Sequence, residues 1–470
     1  MPAYRVTALP AGATVPLGLI EEVVADSGCR ERRRRLLPAA GVMVFVLGCC
    51  LFSGDAYGEV ARKLAGWLGP LAGRPGWRVP GSAALARARR RLGAGPFELL
   101  FARLAGPLAG PGTPGAMAFG RVLVAVDGTS VQVPHTAANI AAFGAPRSGH
   151  AAACGFPEVQ LVTVTGCGTR GLAGAVFGPR RGAGCSEQDL ARQLTGVLGP
   201  GMLVLADRGF CGYPSVSALT GTGAQVIIRV RADQQFPVVR ALTDGSWQSV
   251  LPSRKASHAQ DQRNRQRRLR GAAPDTRPLA GITVRVIAFT LTITSPDGSC
   301  RSEPYRLITT LLDPAEAPAG QVAACYAQRW EAETGYRELK VSLRGPGRVL
   351  RSKDPAMVAQ EIWAMLCACQ LIHAQRAAAA AAARPALDPD RISFTVTLHA
   401  VRRQITCVPD RAQRALTSEI LGQLLPPRRP RTFPRLLLNK TARRRNARTG
   451  HTATITYTIT IHPATTGPGP

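Results

Sequence analysis

The chain has 470 residues, 45% of them hydrophobic, with 59 Lys and Arg against 29 Asp and Glu, a formal charge of +30. That length leaves room for roughly two to four domains, and the hydrophobic content excludes a disordered chain. So positive a surface attracts polyanions, with an affinity that falls steeply as salt rises.

Five of the 59 basic residues are Lys; Arg forks suit phosphate, although a GC-rich coding sequence produces the same skew. Twelve cysteines are scattered without a paired Cys-x-x-Cys, which argues against a zinc module. No secretory leader is evident, so reduced thiols in a cytoplasm are expected. The apolar run Leu36 to Phe52 is the one membrane candidate. It is short and holds Pro38, Gly41 and Gly48, so a buried core helix is the better reading.

Along the chain, residues 1 to 117 read as a helical domain. Helices are expected at Pro16 to Asp26, within 36–52, at Asp55 to Leu68, and after a Ser82 cap. The last carries Arg87, Arg89, Arg90 and Arg91, a face for DNA or for solvent. Gly106 to Gly120 reads as a linker. The period then changes to that of strands: Arg121 to Val126, Ser130 to Pro134, Val159 to Gly166 and Leu172 to Phe177. A helix from Ser186 to Leu198 follows, opened by a Ser186/Asp189 capping box. Next come a strand Met202 to Ala206, a helix Pro214 to Thr220 and a strand Gln225 to Val230.

This order matches an α/β, ribonuclease H-like core, expected over 118–231 and 322–400. Residues 232–321 read as a mainly β insertion, with a basic loop at Arg254 to Arg270 and strands at Ile282 to Thr294 and Tyr305 to Leu312. A helix from Asp354 to Arg376 precedes a low-complexity Ala377 to Ala383. Residues 401–470 form a basic C-terminal region. Its run Arg428 to Arg448, like Arg254 to Arg270 in the insertion, is expected to be disordered when free, and its TATITYTITI stretch to form a late strand.

The chemistry centres on YAQRWEAETGYRELK. Tyr326, Arg329, Glu333 and Lys340 are spaced by three, four and seven residues, so a regular helix holds them within an arc of roughly 60°. Such a stripe suits a phosphate backbone better than a core. Two more carboxylates stand at strand ends, Asp127 in VLVAVDGTSV and Asp207 in MLVLADRGF. Singly, each Asp is more often a turn former and Glu333 a solvated helix residue. Together, on a strongly basic chain, the three acids suit a two-metal phosphodiester site, in which Mg²⁺ needs few protein ligands.

The spaced Tyr, Arg, Glu and Lys, the Asp-Gly-Thr at 127–129 and the Ala-Asp-Arg-Gly-Phe at 206–210 resemble insertion-sequence transposases of the DDE type. The bacterial family named after insertion sequence four is the nearest likeness. SKDPAMVAQEIWAMLCACQLI, from Ser352 to Ile372, resembles that family's helix after the catalytic Glu, and the likeness covers roughly residues 15 to 440. The resemblance implies a triad of Asp127, Asp207 and Glu333 holding two Mg²⁺ ions, with Mn²⁺ able to substitute. It implies backbone contacts from Tyr326, Arg329 and Lys340, joined by Arg337. Double-stranded DNA is the implied partner, as element terminal inverted repeats and as target, bound by a synaptic homodimer in the nucleoid and not at a membrane. In relatives a hairpin intermediate serves second-strand cleavage, and Trp247 in the insertion is a candidate to stack a flipped base.

One position departs from the pattern. Where relatives carry an acid after Val-Pro, this chain has His135, read as a loop histidine; His150 and His258 read as surface residues. Two alternatives stay open here: a nuclease of the same fold that never joins DNA ends, and an inactive DNA-binding remnant.

Overall fold

The computed structural model describes residues 17–406, 412–426 and 456–464, apart from residues 32, 34, 74–75, 146–154, 232, 274, 276–278 and 295–298. His150 and the basic run 428–448 lie outside the described residues. The chain forms two compact units. Residues 1–117, 122–197 and 331–428 make the first; residues 118–121, 198–330 and 429–470 make the second. These boundaries differ from the expected ones. The N-terminal helices group with the strand of Asp127, and the strand before Asp207 groups with the insertion.

The first unit opens with α1 (Leu17–Asp26), α2 (Ala39–Leu51), α3 (Tyr57–Lys63), α4 (Ala65–Ala72), α5 (Ser82–Leu92) and α6 (Gly95–Leu104). Helix α2 is apolar on every side and buried along nearly its whole length, as a core helix must be. Helix α5 is capped at Gly81 and not at Ser82. Its Arg89 turns inward, giving Nε to Gln360 Oε1 at 3.0 Å, so that basic face is smaller than the sequence suggests.

The Gly- and Pro-rich segment after α6 is not a free linker. The amide of Gly106 bonds to the Leu172 carbonyl at 2.8 Å. A Cβ on Gly166 would stand 2.9 Å from the Pro107 backbone, and one on Gly171 would stand 2.8 Å from the Gly106 oxygen. Glycine at 166 and 171 is what lets the segment lie so close.

After the short β1 (Met117–Ala118), β2 (Arg121–Gln132) runs unbroken through both strands expected there. Helix α7 (Ala137–Phe143), β3 (Glu158–Gly166), β4 (Leu172–Pro179) and α8 (Glu187–Arg192) follow, α8 with the expected capping box at Ser186 and Asp189. The sheet of this unit has the order β4-β3-β2, antiparallel throughout, with Asp127 opposite Thr163.

In the second unit come β5 (Met202–Ala206), α9 (Tyr213–Thr220), β6 (Gln225–Arg229), β7 (Arg240–Ala241), β8 (Trp247–Pro252), α10 (Arg254–Leu269), β9 (Gly281–Thr294), β10 (Cys300–Thr309) and α11 (Ala319–Tyr326). Their order is β5-β6-β10-β9-β8-β7, with β5 and β6 parallel. The expected basic loop is helix α10. Ser253 caps it by accepting from the Ala256 amide at 3.2 Å, and none of its residues is buried.

The chain re-enters the first unit through α12 (Trp330–Arg337), a π-helical turn at Glu338–Leu343, α13 (Pro355–Ala382), α14 (Phe394–Thr406) and α15 (Ala412–Leu421). Helix α13 absorbs the alanine run. It is long and apolar enough to cross a membrane, yet 72% of its most apolar window is buried inside the protein. Its buried Gln370 accepts from the Leu172 amide at 2.6 Å and gives Nε2 to the carbonyls of Leu104 and Gly106 at 2.9 and 3.0 Å. Those bonds tie the helical layer to the sheet and belong to a packed core, not to lipid. The late strand exists as β11 (Thr456–His462), paired with β9 in the second unit. Gln370→Leu strands three buried backbone groups and is expected to cost about 3 kcal/mol. Urea unfolding measures this; a cost under about 0.5 kcal/mol contradicts it.

Candidate active site

Asp127 sits where β2 leaves the buried run Leu123–Val126 and becomes half-exposed. Its Oδ1 accepts from the Gly128 amide at 3.0 Å. Its main-chain oxygen accepts the hydroxyl proton of Tyr336, from α12. With that proton given away, Thr163 Oγ1 donates to the phenol oxygen at 2.9 Å, and Thr165 donates to Thr163 at 3.0 Å. Burial raises the Tyr336 pKa well above its ordinary value, so the phenol stays a donor.

Glu333 lies one helical turn before Tyr336. Four residues beyond Tyr336, Lys340 Nζ gives a hydrogen bond to Thr129 Oγ1 at 3.0 Å. Desolvation, then repulsion from Arg344 and Arg180, lowers the Lys340 pKa. The first unit therefore docks α12 and its π turn on β2 at two points, Tyr336 on Asp127 and Lys340 on Thr129, with Glu333 on the docked helix.

The second unit holds Asp207, Tyr326 and Arg329. Asp207 follows β5 and caps a 3₁₀ turn, accepting from the Gly209 amide at 2.7 Å. Tyr326 is not an open backbone contact: it is 7% exposed, and its hydroxyl meets the Ala206 carbonyl at 3.3 Å, beside Asp207. Arg329 stands over the Trp330 ring, 5.6 Å from its centroid. The helix is also less regular than its spacing suggests. It tightens to 3₁₀ at Ala327–Arg329 and widens to π at Glu338–Leu343; such turns mark functional segments.

Trp247 corrects the sequence reading. It is 8% exposed in β8 and gives Nε1 to the Phe236 carbonyl at 3.2 Å, so its ring is packing and presents no face for a base. An aromatic cleft of about 240 Å³ lies elsewhere in the second unit, lined by Phe289, Leu291, Tyr305, Tyr326, Trp330 and Tyr457. Arg337, His135 and His258 are exposed. Among the described residues, no group of three or more His, Cys, Asp and Glu could hold a metal ion, and every cysteine is a free thiol. Sequence reasoning missed Tyr336 and Thr163; the one available signal was an aromatic hydroxyl one turn after Glu333.

A family model described as transposase DDE domain matches residues 118–371, and one described as insertion element 4 transposase N-terminal matches residues 9–102. The transposase InsG for insertion sequence element IS4 of Escherichia coli (strain K12) is 30% identical over 433 residues, 89% of each chain. The chain is a DDE transposase.

Its core is the ribonuclease H-like one that the strand order led us to expect, and DNA is its partner. Neither the non-joining nuclease nor the remnant is favoured by these matches. A solved structure of the piggyBac transposase synaptic complex with hairpin DNA is similar at a TM-score of 0.42 and 10% identity, covering 90% of this chain and 87% of that one, too distant to carry an argument. DDE domains generally use divalent metal ions. The acids of this transposase fit such ions by donor chemistry, since Asp127, Asp207 and Glu333 all present hard carboxylate oxygens. Tyr336→Phe keeps the ring and removes the docking hydroxyl. It is expected to lose about 1–3 kcal/mol of stability and to cut donor DNA about tenfold more slowly. Denaturation and single-turnover cleavage measure both, and a parental cleavage rate contradicts the docking role.

Proposed function

We propose that this transposase excises an insertion sequence by cut and paste and joins its 3′ ends to target DNA, with Asp127, Asp207 and Glu333 holding two Mg²⁺ ions, which Mn²⁺ can replace. When bound, the pair of cations would supply an activated attacking oxygen and charge stabilisation for the leaving one. The observation that carries this reading is the docking of the Glu333 helix on Asp127 through Tyr336. A rigid strand and a packed helix are what a multi-carboxylate site needs.

The chain's own residues do the rest. Lys340, steadied on Thr129, and Arg329 engage phosphates beside the cut, and Arg337 adds an exposed guanidinium. Tyr326 serves by holding α11 against the end of β5, beside Asp207. An unpaired base at the element end stacks in the aromatic cleft, where Phe289 and Tyr305 lie 5.3 Å apart and Arg229 covers Tyr305 at 4.2 Å. A base drawn out of the duplex is what a hairpin intermediate requires, and stacking platforms of this kind are sequence-tolerant. Two ends must be cut and joined together, so the working form is a homodimer.

A donor plasmid carrying two ends tests the reading. With Mg²⁺ the parent is expected to release the element, and Asp127→Asn, Asp207→Asn and Glu333→Gln to bind ends and release nothing. Activity surviving any one substitution removes that acid from the site. Cleaved ends that never join target DNA would favour the nuclease instead. For the cleft, 2-aminopurine near the element end is expected to change fluorescence on binding, and Tyr305→Ala to diminish the change. An identical signal in parent and variant contradicts stacking there.

A further inference from the structure

Behind the helix that carries Glu333 lies a cluster of buried charge that the proposed chemistry leaves unused. Arg170, in the turn between β3 and β4, has φ of 63°, a left-handed backbone that a residue with a Cβ rarely adopts. Its side chain is 3% exposed and faces three carboxylates. Nε lies 2.8 Å from Glu331 Oε2, Nη1 lies 2.8 Å from Glu338 Oε1, and Nη2 pairs with Asp390. The Nε contact has ion-pair distance without hydrogen-bond alignment.

Arg376 of α13 adds a second cation, with Nη1 3.7 Å from Glu338 Oε2 and 3.1 Å from His373 Nδ1. Burial, then Arg376 and Arg170, pushes the His373 pKa well below its ordinary value, so that ring is neutral. Two guanidiniums thus face three carboxylates. Burying so much charge is a poor route to stability, and an observed strained residue at such a place points to function.

The geometry supplies the function. Glu331 and Glu338 are seven residues apart, hence on one face of the helix. Tyr336 lies about 140° round from Glu331, and Glu333 about 200°. The helix is therefore held from two sides: by Tyr336 on the Asp127 carbonyl, and by Arg170 through Glu331 and Glu338. We infer that Arg170, with Glu331 and Glu338, is a positioning device that fixes the rotation of this helix about its axis, and so the direction in which Glu333 presents its carboxylate. The inference rests on the reading of Glu333 as a metal-holding acid.

Two mild variants test it. Glu331→Gln keeps shape and hydrogen-bonding capacity, and Arg170→Lys keeps the charge and loses the fork. Each is compared with the parent in melting temperature, end binding, single-turnover cleavage and the Mg²⁺ concentration for half-maximal cleavage. The expected result is end binding within about twofold, cleavage slowed about tenfold, and half-saturation moved to several-fold higher Mg²⁺. A purely structural role would lower the melting temperature and leave the Mg²⁺ curve in place. Folded variants with parental rates and an unmoved curve overturn the inference. If Arg170→Lys does not fold, Glu331→Gln decides alone. Glu333→Gln runs beside them: cleavage surviving that change sinks the triad reading and this inference with it. Cleavage lost there but parental in Glu331→Gln sinks this inference only.

Discussion

One buried hydroxyl sets the geometry on which the rest of the active unit depends. Tyr336 gives its proton to the main-chain oxygen of Asp127 and takes one from Thr163, on the strand paired with it. A phenol in that position is forced to donate, because burial keeps it protonated. The bond fixes the height of the helix along β2, and Lys340 on Thr129 fixes it again one turn later. Glu333 inherits its placement from those contacts. The helix that carries Glu333 is thus held on β2 at two points, Tyr336 on Asp127 and Lys340 on Thr129.

Charge in this chain does two different jobs. Part of the +30 balance stands on exposed surfaces, helix α10 among them, and suits attraction to a polyanion without reading its sequence. Another part is interior. Arg89 and Arg285 are spent on structure: Arg89 on Gln360, and Arg285 on Ser246, at 2.7 Å, and the Ala317 carbonyl, at 2.6 Å. Arg170 and Arg376 face the acids behind the Glu333 helix. Composition alone cannot separate these populations, since an Arg codon says nothing of which way the side chain turns.

Much of the fold was legible in the sequence because it rests on local signals. The capping box at Ser186, the apolar run in α2 and the alternation in the last strand each named their element before any coordinates. The family was legible too, in the two Asp motifs and the Tyr, Arg, Glu and Lys spacing; the roles of those residues stand as a proposal. What escaped was tertiary. Helix α10 was read as a loop because its polar residues show no apolar stripe, yet a Ser253 cap and good helix formers suffice. Trp247 was one candidate to stack a flipped base, with ordinary packing the alternative, and its neighbours in the fold make it core. Tyr326 was given a phosphate, although its hydroxyl is turned to Ala206. Arg170 carried no pattern, and Tyr336 only its place one turn after Glu333, since their partners lie more than 150 residues away along the chain.

The central claim is that Asp127, Asp207 and Glu333 share their cations. The most direct measurement replaces Mg²⁺ by Fe²⁺ in the end-bound protein, adds ascorbate and peroxide, and maps where the polypeptide is broken. The account predicts breaks beside residues 127, 207 and 333, all suppressed by excess Mg²⁺. Breaks that spare any one of the three, or that Mg²⁺ does not suppress, would contradict it.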